Sequence, residues 1–275
     1  MTRSRPAPTA TSLLTLEGPD ALAFAHAQFT SNVAALEPGK WQWSAWLDAR
    51  GRVQFLFHLA RAGEQALVAL LRGGDAASMA MRLGPFRFRS RVTLSALPDV
   101  PVGGGKDLPA FRYQAEGGSH TFGLGDRSLV LPDPGSTATG WRLEAIRRGE
   151  PWLPEPFLGS FLPPALGLHR LGALSLDKGC YPGQEIVARL HYHGGHKHAL
   201  AHLRLHGPVA PGATALPAPP GSADSAAIAA QVLDCVPAGD LHEALAVLHH
   251  SVFDRLRDTP HAHADAPQLV RRFES

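Results

Sequence analysis

The run Asp177-Lys178-Gly179-Cys180-Tyr181-Pro182-Gly183-Gln184-Glu185-Ile186-Val187-Ala188-Arg189 holds the densest set of residues able to do chemistry. Gly179 and Gly183 bracket a tight turn, and Pro182 stands just before the good helix formers of 184–190. Cys180 then lies close to the positive end of a helix, where a thiolate is favoured over a thiol. Lys178, two residues away, acts in the same direction, as does Arg189 if it folds back; Glu185 close by would oppose them. A thiolate in that place is a metal ligand, a nucleophile or a partner in thiol exchange. The same spacing also fits a plain turn in which Cys180 is a small buried side chain.

A second group is imidazole. Six of the fifteen histidines stand at 191, 193, 196, 198, 202 and 206. Read as extended chain, His191 and His193 share one face, Gly194-Gly195 turns the backbone, and His196 and His198 share a face of the next strand. That spacing suits Zn²⁺ or Ni²⁺. No acidic residue lies inside the cluster to orient the rings, and the alternative is a solvated loop that becomes strongly positive at mildly acidic pH.

The rest of the composition narrows the classes. Cys180 and Cys235 are the two cysteines, too few for a disulfide framework, a Cys₄ zinc site or a full iron–sulfur ligand set without help. Lys+Arg is 26 against Asp+Glu 24, a net of +2, so no overall basic surplus points to nucleic acid and direct nucleic-acid binding is not expected. A 44% hydrophobic and 18% charged chain can bury a core. No run of 18 apolar residues supports a membrane span. The start, MTRSRPAPTATSLL, lacks the apolar stretch of a secretory signal and reads as a flexible tail over residues 1–10 of a cytoplasmic protein.

The elements that must position these residues follow from periodicity. Residues 12–18 read as a strand. Pro19 opens a helix with Leu22, Ala25, Phe29 and Val33 on one apolar face. The stretches 41–47 and 53–59 alternate around Asp48-Ala49-Arg50-Gly51 as a β-hairpin. A strand at 66–71, a helix at 76–83 capped by Asp75 and a strand at 91–95 complete an α+β group. Short strands are expected near 111–115, 119–124 and 128–131. Thr139 is placed to cap a helix that Gly149 ends, and 152–175 lacks periodicity. Residues 207–221 read as a low-complexity linker, and 226–236 and 241–251 as strands of a small β domain.

Lys178-Gly-Cys180-Tyr-Pro-Gly-Gln184-Glu185-x-x-x-Arg189 resembles the signature of the YgfZ family of folate-binding proteins, to which mitochondrial iron–sulfur assembly factors are related. The resemblance extends to Gln28-Phe-Thr30-Ser-Asn32, to Leu47-Asp48-Ala-Arg-Gly51-Arg-Val53, to Trp141 through Trp152, to Phe161-Leu-Pro163 and to Leu168–Ser175. It is sparse at 97–138 and diffuse after 205. It implies the fold of the T-protein of the glycine cleavage system: ferredoxin-like α+β units over 11–198 around a central folate cavity, then a C-terminal β-barrel over 199–275.

The same resemblance implies tetrahydrofolate or a derivative as cofactor. Trp141 matches a tryptophan lining the folate site, where an aromatic face suits a flat pterin. Arg147 replaces a pterin-holding glutamate of T-proteins and is a candidate partner for folate's glutamate tail, or only a complement to the helix dipole. Asp48, Gln184 and Glu185 are further candidate cofactor-binding residues. A second folate-lining tryptophan of some members falls at Thr11 here; the Trp41, Trp43 and Trp46 group is the candidate substitute. T-proteins carry catalytic acid where this chain has Phe55 and Leu56, so an aminomethyltransferase is the lesser reading. The favoured expectation is a factor for assembly or repair of iron–sulfur clusters that supports tRNA-modifying enzymes indirectly. Its partners are assembly proteins or client enzymes. Cys180 is its candidate catalytic thiol, with Lys178 and Arg189, either ligating a transient cluster shared with a partner or exchanging thiols. A non-catalytic metal- or partner-binding module built on His191, His193, His196 and His198 is the third reading.

Overall fold

A computed structural model describes residues 10–105, 107–133, 139–216, 228–258 and 266–274. All but the end of the expected N-terminal tail, the second part of the expected 207–221 linker, the start of the strand expected at 226 and the Thr139 side chain lie outside the described residues.

The N-terminal half is a five-stranded antiparallel sheet. Its elements are β1 (Ala10–Glu17), α1 (Ala21–Gln28), β2 (Trp41–Leu47), β3 (Val53–Gly63), β4 (Ala66–Leu71), α2 (Ala76–Leu83) and β5 (Thr93–Pro101). The strand order is β2-β3-β4-β1-β5. Without β2 the order β3-β4-β1-β5, with α1 and α2 in the two crossovers, is the ferredoxin-like arrangement. Both faces are covered, which is why β3 and β4 read as nearly continuous apolar runs. Leu14, Leu16, Phe57 and Leu71 pack under Phe24 of α1 and Met79 of α2. Leu13, Trp43, Leu56 and Leu70 face the rest of the molecule. Asp75 caps α2 by accepting from the Ser78 N–H at 2.7 Å, as its position before the helix required.

The first helix is shorter than its apolar spacing suggested. It ends at Gln28, and Phe29 turns extended to bridge Trp46. Thr30 explains the stop. Its hydroxyl donates to the Ala173 carbonyl (2.7 Å) and accepts from the Ala45 N–H (2.9 Å). Its carbonyl accepts from the Ser175 N–H at 2.9 Å. These tertiary bonds hold the chain out of helical conformation and tie the segment before the signature to β2.

A second sheet follows: β6 (Gly103–Gly105), β7 (Tyr113–Glu116), β8 (Ser119–Gly123) and β9 (Ser128–Leu131), in the order β6-β9-β8-β7. Then come α3 (Thr139–Arg148), an irregular segment with two short 3₁₀ turns, and α4 (Gln184–His193). The C-terminal part contains β10 (His198–Leu205), β11 (Ala215–Leu216), β12 (Ile228–Ala229), β13 (Gln231–Ala238), β14 (Leu241–His249), α5 (His250–Asp258) and β15 (Gln268–Phe273). Where a β-barrel was expected, the described residues form an antiparallel sheet, β13-β14-β10-β15, and a separate β11-β12 pair, with no closed barrel among them. The strand expected to run to 251 ends at His249, and α5 takes over.

Candidate functional site

Two places bring the expected residues together. The first is the turn before α4. Gly183 takes φ +77 at the N-cap of α4 and lies against the hairpin turn between β2 and β3. A Cβ at Gly183 would meet the Asp48 carbonyl oxygen at 2.6 Å and the Gly51 Cα at 2.7 Å, and a Cβ at Gly51 would meet Ile186 at 2.9 Å. The two glycines therefore let backbone touch backbone, which fixes the signature on the hairpin. Asp48 shapes that turn. One carboxylate oxygen accepts from the Arg50 and Arg52 N–H groups (both 2.9 Å), the other from Gln54 Nε2 (3.1 Å).

Cys180 is exposed on this turn, three residues before Gly183. Lys178 is buried and its Nζ donates to the carbonyls of His26 and Phe29 at the C-terminus of α1, a capping arrangement that a cation favours. Burial pulls its pKa down to about 8. Tyr181 is buried, its hydroxyl without a hydrogen-bond partner among the described residues, and burial pushes its pKa up to about 12. Gln184 is half-buried; Glu185 and Arg189 are exposed on α4. The first turn of α4 thus carries Glu185, whereas Arg189 lies about 7 Å further along the axis than Gln184.

The second place is a buried aromatic box. Arg72, the residue after β4, is only 2% exposed. Its guanidinium carbon lies 5.6 Å from the centroid of Trp43, 5.3 Å from Trp141 and 5.5 Å from Trp152. The Trp141 and Trp152 rings are 5.8 Å apart. Each such cation–ring contact stabilises by about 0.5–2 kcal/mol, which offsets part of the burial of the charge. Burial nonetheless lowers the Arg72 pKa to about 10, with attraction from Glu150 and Asp234 opposing. His58 on β3 sits beside it, edge-on to Trp43 (4.1 Å) and stacked on Trp41 (4.3 Å). Burial first, and the Arg72 charge second, hold its pKa well below the ordinary imidazole value. Arg72 Nε, both His58 ring nitrogens and Trp141 Nε1 have no hydrogen-bond partner among the described residues. Buried polar groups left open in one place mark a site for an acceptor-bearing molecule or ordered water.

Other expected residues lie elsewhere. Arg147 forks onto Glu243 of β14 with two 2.9 Å bonds, and also reaches Glu144 at 3.2 Å. Glu243, its pKa lowered first by Arg147, also meets His202 at 2.8 Å. Arg147 therefore ties α3 to the C-terminal sheet. His191 and His193 do not share an extended face: both are in the last turn of α4, where positions two apart point to opposite sides. His191 instead meets His169 (ring centroids 4.8 Å), while His196 lies near His250 (5.9 Å) and His198 near His249 (5.2 Å). Among the described residues no group of three or more His, Cys, Asp or Glu side chains is arranged to hold a metal ion. Phe55 and Leu56 are fully buried, one on each side of the central sheet. Thr11 donates to the Leu71 carbonyl at 2.6 Å, beside Arg72 in sequence.

No local motif marks Arg72 or His58 in the sequence. The available signal was a titratable residue inside or directly after an uninterrupted apolar strand, FLFHLA and LVALLR, where a charge has no solvent-facing position.

No known family profile matches the chain. It is 27% identical over 228 residues to the tRNA-modifying protein YgfZ of Vibrio vulnificus, spanning 73% of this chain and 69% of that one. It is 28% identical over 236 residues to the protein of the same name from Cronobacter sakazakii, spanning 73% and 70%. A 64-residue stretch is 48% identical to the Edwardsiella ictaluri protein of that name, spanning 23% and 19%. Among solved structures, the glycine cleavage system aminomethyltransferase T of Bartonella henselae superposes with a TM-score of 0.61 at 15% identity, covering 88% of this chain and 76% of that one. Among the described residues no helix is long and apolar enough to cross a membrane.

Proposed function

We propose that this chain, similar to the YgfZ proteins over about 73% of its length and sharing the fold of aminomethyltransferase T, is a YgfZ-type protein that binds tetrahydrofolate or a derivative and serves the assembly or repair of iron–sulfur clusters. The observation that carries the folate part is the aromatic box. Trp141 and Trp152 offer flat apolar faces, and Arg72 Nε, Trp141 Nε1 and the His58 nitrogens offer polar atoms with no partner among the described residues. A pterin has the complementary features: two broad faces and a rim of ring nitrogens and a carbonyl. In this reading Trp43 supplies the third wall, taking the part of the tryptophan missing at Thr11, while Trp46 lies in the other core cluster. Bound folate would supply one-carbon or redox chemistry. The residues here bind it, orient it and exclude water.

Cys180 is the exposed thiol of the signature, on a turn held rigid by the Gly183–Gly51 contact. The cluster is cargo, and a partner contributes the ligands that one thiol lacks. Lys178 serves this turn through α1 as a positioning residue, since its ammonium is occupied by two carbonyls. The finer elements of this reading are a cytoplasmic setting, assembly proteins or client enzymes as partners, and closure of the C-terminal strands into a barrel. Phe55 and Leu56 in the sheet core leave the aminomethyl-transfer acid without a counterpart at those positions.

The test is complementation of a strain lacking its YgfZ-type gene, under oxidative stress, with activity of a cluster-dependent tRNA-modifying enzyme as readout. Wild type restores it. Cys180→Ala, an exposed and fold-neutral change, is expected to abolish it. Full restoration by Cys180→Ala removes the thiol from the account.

A further inference from the structure

The net charge of +2 conceals an uneven distribution. Between Ala76 and Pro98 the chain has four arginines and no aspartate or glutamate. The 3₁₀ turn that follows α2 and the loop after it present Phe86, Arg87, Phe88, Arg89 and Arg91 to solvent. Phe88 is 89% exposed, Phe86 52% and the neighbouring Met81 73%, apolar groups that a folded chain normally covers. Arg91 pairs with Asp20, at 3.1 Å. Among the described residues no carboxylate pairs with Arg82, Arg87 or Arg89.

A hydrogen-bond relay beneath the surface, through buried Gln54, links this patch to the signature. Arg82 lies over the Trp46 ring at 5.4 Å and donates to Gln54, which donates to Asp48, whose carboxylate organises the turn bearing the exposed Arg50 and Arg52. That turn touches Gly183. Asp48, which lies on this path, has both oxygens engaged by N–H donors. An anionic occupant following the arginines from Phe88 would therefore end at the turn that carries Cys180.

We propose that this aromatic and arginine track, from Phe88 and Phe86 through Arg82 to Arg50, is a binding surface for single-stranded RNA. Alternating rings and guanidinium groups match alternating bases and phosphates: an exposed ring stacks on any base, and each arginine meets a phosphate oxygen pair. A bilayer fits less well. Phe86 keeps one side against Trp46, edge-on at 6.1 Å, so its free side can stack on a base but cannot insert, and Phe88 and Met81 alone are a small anchor set among arginines. An acidic protein would use the arginines but gives no reason for rings interleaved among them.

The probe is a fluorescein-labelled oligouridylate of about twelve nucleotides, followed by anisotropy with the full chain across a salt series. Saturable binding is expected, with log affinity falling against log salt at a slope of about −2 or steeper. Phe88→Ala is expected to weaken binding by about tenfold with the slope unchanged. Arg87→Gln with Arg89→Gln is expected to flatten the slope by more than one unit. All three positions are exposed, so unchanged thermal melting shows that folding is not what is read. Absence of binding at low salt, or equal affinity in the variants, overturns the proposal. So does retention by phosphatidylglycerol vesicles without RNA binding, which assigns the surface to a membrane. None of these outcomes depends on whether folate binds.

Discussion

His58 and Arg72 place a neutral base and a cation side by side in the sheet interior, and that has a measurable consequence. Below its ordinary pKa of 6.5 His58 takes up a proton in the unfolded chain, while the folded core keeps it neutral. The unfolded state then binds more protons, so stability falls as pH drops through that value, by up to about 1.4 kcal/mol per pH unit. Urea denaturation at pH 7.5 and 5.5 is expected to show this loss in wild type and a smaller one in His58→Phe; identical pH dependence in both argues against a buried neutral imidazole. At this scale the sequence was legible where a motif surrounded the residue and illegible where only tertiary structure defined it. Cys180 and Cys235 are separated by the signature alone, and Cys180 is exposed while Cys235 is buried in β13. Lys178 was read as a neighbour of the thiol because the two are close in sequence; its ammonium lies instead on α1 carbonyls contributed by residues about 150 positions earlier. Arg147 likewise found Glu243 across 96 residues, a partner no local pattern announces.

The signature works as an element because two glycines let it dock. Gly183 has a positive φ and no room for a Cβ against the Asp48 carbonyl. Gly183→Ala combines backbone strain with that clash and is expected to destabilise by about 2 kcal/mol or more. The change should also raise the reactivity of Cys180 toward a thiol reagent as the turn loosens; an unchanged melting temperature and labelling rate would show that the contact is not needed. Strands and helices of the N-terminal sheet were largely readable, since the apolar runs at 41–47 and 53–59 around a turn and the Asp75 cap are local signals, although burial of both faces leaves β3 without true alternation. The end of α1 was not, because Thr30 answers to Ala45 and Ala173 rather than to its sequence neighbours. The extended reading of His191 and His193 failed for a related reason: the helix formers from Gln184 onward continue through His193 until Gly194 ends them.

Across the whole molecule, α3 is the joint. Arg142 forks onto Asp234 of β13, both buried, while Leu200, Leu233, Val236, Leu245 and Phe273 of the C-terminal sheet share one apolar cluster with Trp141 and Trp152. The expected boundary near 198 therefore does not interrupt the core. Asp234→Ala strands a buried guanidinium and is expected to lower stability by about 3–5 kcal/mol. Tryptophan fluorescence, all of it from residues 41–152, and far-ultraviolet dichroism should still give coincident transitions; separate transitions would mean that the C-terminal sheet unfolds on its own. Sequence indicated strands after 226 but neither α5 nor β15, whose place depends on pairing with β10. The aromatic box draws on β2, β3, the end of β4, α3 and the segment after it, so the proposed folate site exists only in the assembled fold. Isothermal titration with tetrahydrofolate tests it most directly. Wild type is expected to bind saturably at one site, with Trp141→Leu and Arg72→Met each weakening affinity by about tenfold or more. No binding by wild type, or undiminished binding by both variants in a folded state, would contradict it.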